Sequence, residues 1–179
     1  MNFKTRFAAK VLNSGGVISI PTDTIQGLTC LPRFESSMQR LIDIKKRSSL
    51  KGMILLASDV NYLMQYVADP TLLNKITCNS EQPTTYLLQA NVKTSKLLLG
   101  GFDTVAVRVT NNPLISSLCA QTQSALVSTS ANISGLQVID SSLKLRVYFH
   151  NQLDMIVPPT KGDNTPSIII NLQTGERIR

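Results

Sequence analysis

The chain has 179 residues, 42% of them hydrophobic and 16% charged, with a formal net charge of +7. That length and balance predict one domain over residues 1–179 with a sizeable core. No apolar run approaches the roughly 20 residues of a membrane span, and Met1-Asn2-Phe3-Lys4-Thr5-Arg6 lacks the apolar segment of a secretory signal, so a cytoplasmic protein without membrane partners is expected. Cys30, Cys78 and Cys119 form no Cys-x-x-Cys pair, which argues against a disulfide framework or a zinc site, and His150 is the single histidine. The positive charge points to a polyanion, either a nucleoside triphosphate or a nucleic acid. With 5% aromatics and no Trp, there is little material for stacking single-stranded bases.

Phe3, Phe7 and Val11 recur at helical spacing and stop at Gly15-Gly16. Val17 to Ile20 then reads as a strand delivering a hydroxyl-rich loop, Pro21-Thr22-Asp23-Thr24-Ile25-Gln26-Gly27-Leu28. Met38, Leu41, Ile42 and Lys45 predict an amphipathic helix opened by Ser36 or Ser37 and ending in Lys45-Lys46-Arg47. Met53 to Ala57 is an apolar strand of the kind covered on both faces. Ser58 or Asp59 is expected to cap a helix through Val67, and Asp69-Pro70 to start another. Thr84 to Leu88 is a strand, Lys93 to Phe102 a connector with a Gly100-Gly101 hinge, and Thr104 to Val109 an alternating strand. Asn112-Pro113 opens a helix that leads into a strand at Ala125-Leu126-Val127. Asp140 is expected to cap a helix through His150, and Met155-Ile156-Val157 and Ile168-Ile169-Ile170 to form late strands around Pro158-Pro159 and Gly162-Asp163-Asn164. Helices interleaved with short strands give an α/β fold class with unreadable strand order.

Chemistry concentrates in three segments. Val127-Ser128-Thr129-Ser130-Ala131-Asn132-Ile133-Ser134-Gly135 places hydroxyls and an amide directly behind an apolar strand, where ligand crevices form in such sheets; a solvated turn is the competing reading. In the alternating strand, period two sends Val105, Val107 and Val109 to the core and leaves Thr104 and Arg108 on the other face, roughly 13 Å apart. There they grip two parts of one ligand, or else face water. Lys45 and Arg47 complement a helix dipole in any case, and converge on one anion only if the helix ends there. No Walker A loop or dinucleotide fingerprint is present, so a triphosphate would rely on side-chain cations, hydroxyls and loop amides.

Together, Pro21-Thr-Asp-Thr-Ile-Gln-Gly-Leu28, Lys45-x-Arg47, Thr104-x-x-x-Arg108 and Ser128-Thr-Ser-Ala-Asn132 with Ser134-Gly135 resemble the YrdC/TsaC family of threonylcarbamoyl-AMP synthases in order and spacing, from about Ala9 to Ile178. The resemblance implies a single-domain, twisted, open α/β YrdC-like fold with a positively charged cavity, similar to the short bacterial form. It implies L-threonine, bicarbonate and ATP as substrates, Mg²⁺ carried mainly by the phosphates, and a product that feeds modification of the tRNA adenosine next to the anticodon. The resemblance also implies partners: tRNA-modification proteins, and tRNA or double-stranded RNA.

By this resemblance Thr24, Arg108 and Ser128 contact threonine. Lys45, Arg47, Lys51, Thr104, Ser130, Asn132 and Ser167 contact ATP. Lys45, Arg47 and Arg108 carry catalysis by alignment and charge neutralisation, with no protein nucleophile. Gln26, where relatives often have an aromatic, is expected to alter a cavity wall. Ser80-Glu81-Gln82-Pro83 departs from the family's Trp-Pro-Gly-Pro, and Ser48 replaces a common proline. The alternative is a non-catalytic RNA-binding protein using the same basic cavity. A carbamoyl-transfer module of a larger maturation protein is disfavoured by the absence of zinc-finger cysteines.

Overall fold

The computed structural model describes residues 3–78, 81–139, 141–149, 152–160 and 165–179. The expected Asp140 cap, His150, Ser80 and the Gly162-Asp163-Asn164 turn lie outside the described residues. No described helix is long and apolar enough to cross a membrane.

Helix α1 (Phe3–Asn13) buries Ala8, Ala9 and Leu12. It closes as the glycine pair predicts: Gly15 has φ of +79°, the Gly15 amide donates to Leu12 O (3.0 Å), and the Gly16 amide donates to Val11 O (2.9 Å). Strands β1 (Ile18–Pro21) and β2 (Gln26–Cys30) then form an antiparallel hairpin with Ser19 opposite Leu28. The hydroxyl-rich segment is therefore a turn followed by a strand, where a single loop was expected.

Helix α2 (Glu35–Ile44) starts after Phe34, with no side-chain cap. Ser37, an expected cap, lies inside the helix, and its hydroxyl donates to Gly15 O (2.6 Å). β3 (Ile54–Ala57) follows. The segment after it forms short 3-10 turns rather than a helix: Asp59 caps Val60–Tyr62, Met64–Tyr66 comes next, and Asp69-Pro70 opens Pro70–Lys75. β4 (Thr84–Gln89), the one-turn α3 (Lys96–Leu99), β5 (Thr104–Val109) and α4 (Pro113–Thr122) come next, the last capped by the Asn112 side chain. β6 (Leu126–Ser130), α5 (Ser142–Phe149), β7 (Met155–Ile156) and β8 (Ile168–Asn171) complete the order.

Among the described residues the strands form one 8-stranded mixed sheet in the order β7-β1-β2-β6-β3-β5-β4-β8. Alternation splits its apolar side chains into two cores. Leu28, Cys30, Leu55, Val105, Val107 and Val127 pack with Met38 and Leu41 of α2 and with Leu145 and Phe149 of α5. Ile18, Ile20, Leu56 and Leu126 face the other way, against Ala8 and Leu12 of α1 and Ile115 and Leu118 of α4. Helices α1 and α4 cover only part of that second face, and the uncovered part becomes the site.

Candidate functional site

A cavity of about 590 Å³ lies over the uncovered sheet face. Its floor takes one side chain in two from neighbouring strands: Gly27 on β2, Ser128 and Ser130 on β6, Ile54 on β3, Thr104, Ala106 and Arg108 on β5, Leu87 on β4 and Ile169 on β8. The register brings them into rows, with Gly27 opposite Ser130, and Ile54 opposite both Ser128 and Ala106. A side chain at Gly27 would place Cβ 3.1 Å from Ser128 Oγ, so glycine keeps the floor open. The valine alternation of β5 thus selects the correct face. The hydroxyl motif sits on a strand rather than in a loop, because its neighbours there are ligand space instead of apolar core.

Arg108 is 4% exposed. Its Nη1 donates to Thr24 Oγ1 (3.2 Å), and its Nη2 lies 3.2 Å from Asp23 Oδ1. Burial lowers the Arg108 pKa, the Asp23 carboxylate opposes that shift, and Arg179 adds to it. Thr24 is fixed by its neighbour: Thr22 Oγ1 donates to Ile25 O (2.7 Å) and accepts from the amides of Thr24 (3.2 Å) and Ile25 (3.3 Å).

Arg47 reaches the cavity from α2 on the far face of the sheet. Lys46 takes a left-handed φ of 47°, the Lys46 amide donates to Asp43 O (2.9 Å), and the Arg47 amide donates to Ile42 O (3.0 Å), so the helix ends where convergence requires it. The Arg47 guanidinium is then held by Gly52 O (2.5 Å) and Thr129 Oγ1 (3.3 Å). Gly52 is itself placed by Gly100, whose φ is +67° and whose Cβ would fall 2.5 Å from Leu50 O and 2.7 Å from Gly52 N. Both obstacles are backbone, so Gly100→Ala is expected to cost about 2–3 kcal/mol from strain and clash together. Differential scanning calorimetry should show a melting temperature lower by about 5–10 °C, as the Gly52 backbone that holds Arg47 is displaced.

Lys45 departs from its expected place at the phosphates. Its side chain is among the largest fully buried ones, and its ammonium donates to Ser130 O, Asn132 O (2.7 Å) and Asn132 Oδ1 (3.0 Å). Burial, then the repulsion of Arg47, pushes its pKa down to about 7. Asn132 is likewise occupied, accepting from Ser130 Oγ (2.6 Å) and donating to Leu136 O (2.6 Å). Lys51 is exposed and offers its backbone carbonyl to Arg47 Nε (3.4 Å). Lys45, Lys51 and Asn132 do not line the cavity, whereas Thr24, Arg47, Thr104, Arg108, Ser128, Ser130 and Ser167 do. The second group supplies the wall; Lys45 and Asn132 hold the strand end that carries Ser130.

Gln26 also lies away from the cavity. Its Nε2 donates to Ser19 Oγ (2.8 Å) and Val157 O (3.1 Å), on the sheet face opposite Gly27. The expected effect on a cavity wall is therefore absent. Arg179 was missed. Its guanidinium lines the cavity and donates to Ser167 O through Nε (3.2 Å) and Nη2 (2.9 Å), while Ser167 Oγ meets Thr85 Oγ1 at 2.9 Å. Only its basic character after an apolar strand marked it. Arg47, Arg108 and Arg179 thus line the cavity, with no Asp or Glu among the described lining residues, beside an apolar wall that includes Leu98, Leu99 and Phe102.

These features define an α/β protein that opens an arginine-lined cavity on one face of a mixed sheet. The Sua5_yciO_yrdC family model, described as "Telomere recombination", matches residues 10–179, and the chain belongs to this family. It is 38% identical to the threonylcarbamoyl-AMP synthase of Nitrosococcus oceani over 181 aligned residues, covering 99% of this chain and 98% of that one. It is 36% identical to the synthase of the same name from Actinobacillus succinogenes, covering 100% of this chain and 99% of the relative. The fold is shared with P. abyssi Sua5 complexed with L-threonine (TM-score 0.85, 23% identity, covering 98% of this chain and 52%, about half, of that one). E. coli YciO shares it too (TM-score 0.80, 22% identity, 98% and 88% covered).

Proposed function

We propose that this chain makes threonylcarbamoyl-AMP and pyrophosphate from L-threonine, bicarbonate and ATP. The observation that supports this most directly is the pairing, in one cavity, of a buried Arg108 beside Thr24 with a separate cation, Arg47, held at the ends of β3 and β6. Arg108 takes the threonine carboxylate in the bidentate manner suited to a guanidinium. Thr24 and Ser128 supply hydroxyls near it. Arg47, Arg179, Thr104 and Ser130 receive the triphosphate and ribose, and the apolar wall of Leu98, Leu99 and Phe102 accepts the base. Ser167 supports Arg179.

The reaction needs no protein nucleophile. The threonine amine attacks bicarbonate, expelling water and leaving a carbamate. A carbamate oxygen attacks the α-phosphorus of ATP, and pyrophosphate leaves as its bond to that phosphorus breaks. The protein contributes alignment of the carbamate with the α-phosphate and fixed positive charge where negative charge accumulates. Mg²⁺ would enter on the triphosphate and neutralise part of its charge.

Supplying this adenylate to tRNA modification, through partner proteins that accept it, completes the proposal. The +7 charge supports an additional salt-sensitive association with tRNA or double-stranded RNA. The test is pyrophosphate release by purified protein with ATP, Mg²⁺ and bicarbonate. Release that requires threonine supports the reading; threonine-independent release, or none, overturns it.

A further inference from the structure

The cavity floor holds a niche whose two sides differ in chemistry. Thr22, Gly27 and Ser128 all line the cavity, and a Cβ on Gly27 would lie 3.1 Å from Ser128 Oγ and 3.4 Å from Thr22 Cγ2. Glycine leaves that space open, with a hydroxyl on one side and a methyl on the other. Both are fixed. Thr22 Oγ1 donates to Ile25 O (2.7 Å) and accepts from the amides of Thr24 (3.2 Å) and Ile25 (3.3 Å), which sets the stiff χ1 of a β-branched residue and holds its methyl toward Gly27. The Thr22 hydroxyl is thus used in the turn, and the niche meets its methyl. Ser128 presents the opposite chemistry. It is 6% exposed on β6, opposite Thr29 and Ile54, and among the described residues its hydroxyl has no hydrogen-bond partner. Unlike the unpartnered polar atoms that protein covers completely, Ser128 Oγ opens on the cavity, so its partner comes from what the cavity holds.

The niche adjoins the place assigned to the carboxylate. Thr24 Oγ1 lies 3.2 Å from Arg108 Nη1 and 3.0 Å from Thr22 Oγ1, so one side chain separates Thr22 from the guanidinium. An α-amino acid with its carboxylate at Arg108 brings its β-carbon over Gly27. In threonine that carbon bears one methyl and one hydroxyl, the same two groups that flank the niche. The methyl packs on Thr22 Cγ2, and the hydroxyl pairs with Ser128 Oγ. Serine would leave the Thr22 methyl without a contact, and 2-aminobutyrate would leave Ser128 without a partner.

We propose that Thr22 Cγ2, Gly27 and Ser128 Oγ form the pocket that reads the two substituents on the β-carbon of the amino-acid substrate, with Thr22 setting the choice of threonine over serine. This deepens the threonine reading and rests on it. Thr22 acts here through its methyl alone, separately from the part its hydroxyl plays in the turn.

The experiment is calorimetric titration of the whole chain with L-threonine, with L-serine, which lacks the methyl, and with L-2-aminobutyrate, which lacks the hydroxyl. Wild type should prefer threonine to each of the others by about tenfold or more, the worth of one methyl in a fitted pocket or one hydrogen bond to a nearly buried hydroxyl. Thr22→Ser removes the methyl and keeps the hydroxyl that forms the turn. It should bring threonine and serine within about threefold of each other and leave the preference over 2-aminobutyrate within about twofold of wild type. Ser128→Ala should do the reverse, bringing threonine and 2-aminobutyrate within about threefold and sparing the preference over serine. A merely structural role would not produce this crossed pattern. Equal weakening of all three ligands in a variant, or unchanged ratios, overturns the proposal. Should one variant fail to fold, as judged by its thermal transition, the other is read against its own criteria. If neither folds, the wild-type ratios decide, and equal binding of the three amino acids overturns the proposal. Wild type that binds none of them overturns the threonine reading as well, which separates that failure from a failure of the niche alone.

Discussion

Arg108→Ala is expected to lower kcat/KM for threonine by about 10²–10³-fold while changing ATP affinity by no more than about threefold. The reason is burial. A guanidinium that is 4% exposed has no water to replace a lost partner, and truncating one member of a buried charged contact costs about 2–5 kcal/mol. Part of that cost falls on the free protein, because Asp23 loses the cation 3.2 Å away and Thr24 loses its Nη1 donor. Threonine titrations and melting curves taken together separate the two contributions. Arg108→Lys keeps the charge but gives up the planar fork, so a loss of about 10–100-fold is expected, most of it in KM. Threonine kinetics unchanged in both variants would remove Arg108 from the site.

How much of this was legible differs from residue to residue. The position of Arg108 followed from local pattern alone, since three valines at period two define a buried face and force Arg108 onto the other. Strand β2 was hidden, because in Gln-Gly-Leu-Thr-Cys only Leu28 and Cys30 mark the core face: on the other face Gly27 is needed for cavity space and Thr29 donates to Val127 O (2.5 Å). The same cause disguised β6. Ser128, Thr129 and Ser130 read as a loop because hydroxyls on a strand usually face water, whereas here the strand continues to Ser130 along the floor of a cavity. The 3-10 turns after β3 were misread as a helix because a cap at Asp59 signals a start and carries no information about pitch.

Lys45 was the largest misplacement, and the reason is long range. At the end of an amphipathic helix a lysine normally extends into water and complements the dipole. Here its acceptors come from Ser130 and Asn132, 85 and 87 residues away, and no local pattern announces them. What the motif reports as one basic cluster divides into two roles. Lys46 in a left-handed conformation turns the chain so that Arg47 enters the cavity while Lys45 stays behind it, holding the strand end under Ser130.

That division gives Lys45→Met a distinct signature. Methionine fills the stem's space but leaves Ser130 O and Asn132 O without their donor, so Ser130 and its neighbours should shift and turnover should fall by about 100-fold. Stability should respond to pH in a way that identifies the ammonium. The folded value, pushed down to about 7, lies below the unfolded value of 10.5, so between them the unfolded chain binds more protons and wild-type stability rises with pH. Below about pH 7 both forms are protonated and the cost of burying the charge is fully present. The melting temperature of wild type relative to Lys45→Met should therefore climb from pH 7 to 9, by up to about 3–5 °C per pH unit; a flat difference would mean that the ammonium titrates elsewhere. The same coupling extends to function. Arg47 is one cause of the low Lys45 value, and phosphates paired with Arg47 cancel its repulsion. ATP binding near pH 7.5 should then take up a fraction of a proton, seen as a binding enthalpy that depends on the ionisation enthalpy of the buffer. Lys45→Met should lose that dependence, and a wild type without it would break the proposed link between Lys45 and the nucleotide.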